Sequence, residues 1–175
     1  MRFVDFLRAT VMLSAGAATM LGVLTLAAAT QTGDNQGVFY AVGWWVLAAL
    51  AGSWIGRRNE VNPPIARLLA DSKAATMMPE VRPGPTMANR LWPLIVVVLA
   101  AGALAFVGPQ IPAIATGFTI IWALAWRRQE SAVQAIEERD GVSFFVEPTS
   151  PVRPIQLIRT PGFRRERPTV DGTPV

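Results

Sequence analysis

Uncharged apolar stretches alternate with arginine-bearing ones along this chain, and their lengths match the thickness of a bilayer. Ala9–Ala29 and Val38–Gly56 carry no charge. Neither does Leu91–Trp126, interrupted only by the polar turn Gly108-Pro109-Gln110. A helix needs about 20 apolar residues to cross roughly 30 Å of hydrocarbon. The first two stretches reach that length, and the third splits at its turn into two shorter helices at the low end of the range. The pattern predicts an all-α integral membrane protein whose four transmembrane helices form two helical hairpins, followed by a short cytoplasmic β-type tail.

Four segments follow from this reading. Residues 1–56 form the first hairpin, with helices over about Val4–Ala29 and Val38–Gly56 and a turn-rich loop Gln31–Gly37 between them. Residues 57–90 form a loop in which Pro63-Pro64 can open an amphipathic helix over Pro64–Met77, its apolar face made by Ile65, Leu68, Leu69 and Met77. Pro79–Pro85 is then expected to be extended, because its prolines oppose a regular helix. Residues 91–140 form the second hairpin. Its last helix runs from Ile111 without a stop signal through Trp126 to Asp140, so that about a third projects beyond the membrane. Gly141 supplies the left-handed residue that ends it. Residues 141–175 form the tail, where Val142–Glu147 and Ile155–Thr160 have the branched and aromatic content of a strand pair.

Charge orients the four spans. All sixteen Lys and Arg residues fall before the first span, between the second and third, or after the fourth, and the connectors Gln31–Gly37 and Gly108–Gln110 have none. By the positive-inside rule this is a multi-pass protein of the bacterial inner membrane with both termini in the cytoplasm. Phe39, Tyr40, Trp44, Trp45 and Trp54 lie towards the ends of the second span, as in an interfacial aromatic belt. Met1–Ala29 also has the outline of a signal peptide, but its apolar run is long and Asp5 weakens the basic head, which favours a retained span. Basic flanks on both sides of Leu91–Trp126 fit two crossings or a shallow re-entrant hairpin, and two crossings are expected.

Composition narrows the chemistry. The chain has no Cys and no His, which removes thiol chemistry, the usual zinc sites and His-ligated haem. No cofactor, metal or catalytic residue is expected, and the chain is read as a non-enzyme. The three stretches carry hydroxyls and one amide but no ionisable side chain, which weighs against a proton-coupled carrier. Asp34 is the lone acid of the outer connectors. The acids Glu130, Glu137, Glu138 and Asp140 read as a solvated helix face with Arg127, Arg128 and Arg139. The net charge of +4 suits arginines facing anionic lipid headgroups, not nucleic acid.

Two sets of residues remain as candidates for interaction. Ser14, Ala18 and Gly22, then Ala48, Gly52 and Gly56, place small side chains every fourth position, which lets helix backbones approach. The contact could be within the bundle or between copies. In the tail, Phe144, Phe145, Ile155 and Leu157 beside Arg159 could dock a partner or lipid headgroups, or could cover the inner mouth of the bundle. The function expected is that of a scaffold, assembly factor or accessory subunit acting through a protein partner, a homo-oligomer or the bilayer. The alternative is an oligomeric pore or small transporter.

Overall fold

A computed structural model describes residues 1–33, 35–57, 61–75, 83–147 and 154–161. Helix α1 (Phe3–Thr32) ends on Gly33, whose positive φ lets its N–H cap the carbonyl of Ala29. Helix α2 (Asn35–Ile55) follows at once, so most of the expected outer loop is helical, and Asp34 lies outside the described residues. Then come α3 (Pro63–Ala70), strand β1 (Lys73–Ala74), α4 (Pro83–Ala103) with a 3-10 turn at Leu104–Phe106, α5 (Gln110–Trp126), α6 (Gln129–Asp140), β2 (Val142–Val146) and β3 (Leu157–Pro161). The chain is mostly helical, with a small sheet near its end, and α1, α2 and α4 are long and apolar enough to cross a membrane.

Helices adjacent in sequence are not the main packing partners. Helix α5 lies between α1 and α2 and packs extensively on both, whereas α1 and α2 touch little, as do α4 and α5. The bundle is therefore organised around α5 and not as two separate hairpins. The buried face of α1 explains its part. Leu7, Thr10, Ser14, Ala17, Leu21 and Thr25 are spaced by three or four residues, so they share one face of the helix. Its hydroxyls cost nothing to bury. Thr10, Ser14 and Thr25 donate to the carbonyls of Phe6, Thr10 and Leu21, each at 2.8 or 2.9 Å. Helix α4 is the outlier, since between Leu91 and Ala103 only Leu91 and Ala101 are buried.

At one end of the bundle the chain closes a compact cap. The sheet has the order β1-β3-β2, with β2 and β3 antiparallel and β1 parallel to β3. The register pairs Phe144 with Arg159 and Val146 with Leu157 on one face, and Phe145 with Ile158 on the other. The free side of β2 meets the start of the chain: Arg2 bridges to Phe145, and the Val146 N–H donates to the Met1 carbonyl at 2.9 Å. Val142, Phe144, Val146 and Leu157 then pack with Met1, Phe3, Phe6, Leu7, Ile65, Leu91 and Val133 in one core.

Three expectations are corrected. The amphipathic helix stops at Ala70, because Lys73-Ala74 pairs with β3 instead, and Met77 lies outside the described residues. Pro83–Pro85 is not extended but opens α4, where a proline without an N–H removes nothing from the first turn. The long fourth helix is interrupted at Arg127-Arg128, and its continuation packs against α1 and β2. Side chains there serve other elements: Arg128 donates to the Arg57 carbonyl at 3.0 Å, and the buried Gln129 Oε1 accepts from the Asn62 N–H at 2.9 Å. These bonds tie the end of α5 to the chain leaving α2, and α6 turns its Ala132, Val133 and Glu137 into the cap. Gly141 ends α6 at φ 63°, as its position predicts.

Candidate functional site

The small residues of α2 face α5 backbone to backbone. A side-chain carbon at Gly52 would stand 2.9 Å from the Ile121 Cα, and one at Gly56 would run into the Leu124 carbonyl. Ala48 is buried on the same face. Further along, the interface changes character. Trp44 lies over Gly117, which has no side chain to obstruct it, and donates its indole N–H to the Ile114 carbonyl at 3.3 Å. Trp45 donates to the Ala113 carbonyl at 3.0 Å. Glycines at the sheet end and indoles at the far end make a wedge, close at one end and filled with rings at the other.

On α1, Ser14 is buried against α5, and a side-chain carbon at Gly22 would meet Trp45 and Thr116 at ordinary contact distance. Ala18 is only half-buried, because the buried face passes through Ala17 instead. Gly22, Gly52 and Gly56 thus lie against other helices of this chain, and Ser14 and Ala48 are buried within it.

The tail residues divide differently. Phe144, Phe145 and Leu157 are buried, Ile155 is half-buried against the core, and Arg159 is exposed. The aromatic pair is used to hold the sheet, so Arg159 is the member of that set presented to the surroundings. Lys73 stands nearby on β1, bonded to Gln156 at 3.0 Å and 3.6 Å from the Glu147 carboxylate.

Glu137 is the side chain that sequence reasoning misplaced. It is 4% exposed, its Oε2 accepts from Arg2 Nη2 at 2.7 Å, and its Oε1 accepts from the Phe144 N–H at 2.8 Å. One carboxylate joins the start of α1, the end of α6 and β2. The sequence held a faint signal for this: Gln129, Val133 and Glu137 recur every fourth residue and share one buried helix face. Trp44 and Trp45, expected in an interfacial aromatic belt, spend their indole N–H groups on carbonyls of α5.

Two apolar cavities lie at the end opposite the sheet. One, of about 470 Å3, sits between α1, α2 and α5 and is lined by Thr25, Ala29, Tyr40, Ala41, Trp44 and Ala113 among others. The second, about 420 Å3, lies between α1 and the end of α4. They share Pro109 and Gln110 at the start of α5. Among the described residues no cluster of three or more Asp and Glu side chains is placed to hold a metal ion.

No family model, curated protein or solved structure matches this chain. Fold and site define a class: a largely helical protein with three helices able to span a membrane and a small sheet capping one end of the bundle.

Proposed function

We propose that this is a multi-pass protein of the bacterial inner membrane that acts through interactions, as a scaffold, assembly factor or accessory subunit, with its sheet cap in the cytoplasm. The carrying observation is the segregation of its surface. Large apolar side chains such as Met20, Phe39, Leu47, Val97, Leu99 and Phe118 are exposed on the long helices. Arg2, Arg8, Arg57, Arg67, Lys73, Arg127, Arg128, Arg139 and Arg159 all stand at the cap or at the helix ends leading into it. Exposed apolar area on this scale is stable against lipid and not against water.

In this reading α5 is the fourth span. Its 17 residues extend about 26 Å, slightly short of the hydrocarbon thickness, and its position between α1 and α2 leaves one side, with Ile114, Phe118 and Trp122, facing lipid. Met1, Phe3, Val4, Phe6 and Leu7 are part of the core and Arg2 bridges to the sheet, so the first span is built into the cap. The docking surface is centred on the exposed Arg159 of β3, on the opposite face of the sheet from Lys73, with an acidic partner or anionic headgroups as its complement.

Crosslinking of the full chain in native membranes, followed by purification, tests this. Partners captured by the wild-type chain and lost on Arg159→Glu, with the protein still folded, are expected. An unchanged set of partners would exclude this surface. Removing the whole tail is not a clean test, because Val142–Val146 and Leu157 are core.

A further inference from the structure

The recess at the far end has a built shape. Its floor consists of small buried residues, Thr25, Ala29, Ala41 and Ala113, and its sides of larger ones, with Tyr40 and Ile114 exposed and Trp44 half-buried. The wedge between α2 and α5 accounts for it, since indoles replace glycines where the recess opens. Thr25 is the polar member of the floor, and its hydroxyl is committed to the Leu21 carbonyl at 2.8 Å. Gln36 and Gln110, both exposed, line the recess where α2 and α5 begin, and none of its lining residues is charged.

On the membrane reading above, the recess lies in the leaflet opposite the sheet and opens towards that interface. Its occupant must be apolar in its depth and polar but not anionic-selective at its mouth. We propose that the recess holds one acyl chain of a glycerophospholipid with a net-neutral headgroup, the headgroup resting against Gln36, Tyr40 and Gln110. A partner helix fits less well. A helix of roughly 10–12 Å diameter is too wide to reach the floor between α1, α2 and α5 and would stand largely outside a recess of about 470 Å3, whereas a single acyl chain can follow a floor of alanines.

Tryptophan fluorescence distinguishes a retained lipid from ordinary solvent lipid. The full chain is reconstituted in anionic phosphatidylglycerol vesicles containing increasing fractions of acyl-brominated phosphatidylcholine, a net-neutral lipid that quenches on contact. The Trp44 signal is the difference between wild type and Trp44→Phe. The Trp92 signal, from an exposed residue of α4, is obtained in the same way with Trp92→Phe. Trp44 is expected to reach half-quenching at a brominated fraction about tenfold lower than Trp92, a preference of about 1.4 kcal/mol. Equal fractions would mean ordinary lipid, and no quenching of Trp44 would mean a protein-filled or closed recess; either overturns the inference while leaving the membrane reading intact. Failure of both signals to quench would instead refute the membrane reading.

Native mass spectrometry of chain released from phosphatidylcholine vesicles gives a second, independent readout. Wild type should retain one phospholipid, and Ala41→Leu, which fills the floor, should retain none. Equal retention by both would overturn the proposal.

Discussion

Arg2 and Glu137 are 135 positions apart and joined at 2.7 Å, an ion pair that fastens the beginning of α1 to the end of α6. Its two members are not equivalent. Arg2 is 49% exposed in its side chain and Glu137 only 4%, and Glu137 also accepts the Phe144 N–H. Loss of the half-exposed partner leaves the Glu137 carboxylate its Phe144 N–H and lets water in where Arg2 stood, and is expected to cost about 1–2 kcal/mol. Loss of the buried one strands a backbone N–H and is expected to cost roughly 2–3 kcal/mol. Thermal unfolding of Arg2→Ala and Glu137→Ala in the same detergent should therefore rank Glu137→Ala as clearly the less stable. Equal losses would show that the Phe144 bond carries little.

Gly117 admits the Trp44 indole, and a methyl group there has no room while the ring stays in place. Helices in lipid gain nothing from hiding apolar surface from one another, so association depends on close packing and the few hydrogen bonds between them. Gly117→Ala is expected to destabilise the fold by about 1–3 kcal/mol through overpacking. Trp44→Phe in the same chain should recover part of that loss. A double-mutant cycle that proves additive would mean the two residues do not share the contact.

Gln110 begins α5 at the end away from the sheet. If α4 and α5 both cross, a cysteine at Gln110 in this cysteine-free chain will react with an impermeant maleimide added to intact cells. One at Arg159 will react only after lysis. Protection of Gln110→Cys in whole cells would replace two crossings with a re-entrant hairpin.

Asp140 sits at the end of α6, where its hydrogen bond with Arg139 holds the carboxyl below its ordinary 3.8. A depressed carboxyl adds stability that is present above the unfolded value and is lost as pH falls through the lower, folded one. Asp140→Asn should thus flatten the acid limb of the stability profile, through a small loss at neutral pH that disappears in acid, below 3.8. A loss of the same size at pH 7 and in acid would show that Asp140 does more than pair with an exposed neighbour.

Much of the secondary structure is legible in the chain because each signal is local. Gly33 and Gly141 stop helices by a backbone angle that glycine tolerates, and Val142–Val146 has strand composition whatever surrounds it. The misreadings fall where a distant segment intervenes. Arg127-Arg128 has good helix-forming residues, yet the helix breaks because Arg128 and Gln129 bind the chain leaving α2. Lys73 reads as helix and becomes strand because β3 offers an edge. Glu137 looks solvated among its charged neighbours, and burial is decided by Arg2 and β2, which no window around Glu137 contains.

The sequence by itself determined which segments are apolar enough to span a membrane, where glycines end the helices, and on which side the arginines gather. Those are properties of single stretches, set by transfer free energy and backbone sterics. Tertiary structure alone decided that α5 lies between α1 and α2, that Met1 and Arg2 complete the sheet, and that Phe144 and Leu157 are core instead of docking surface. Partner choice among helices of similar composition depends on the match of small and large side chains across an interface. That match exists only between two surfaces, so neither helix states it alone.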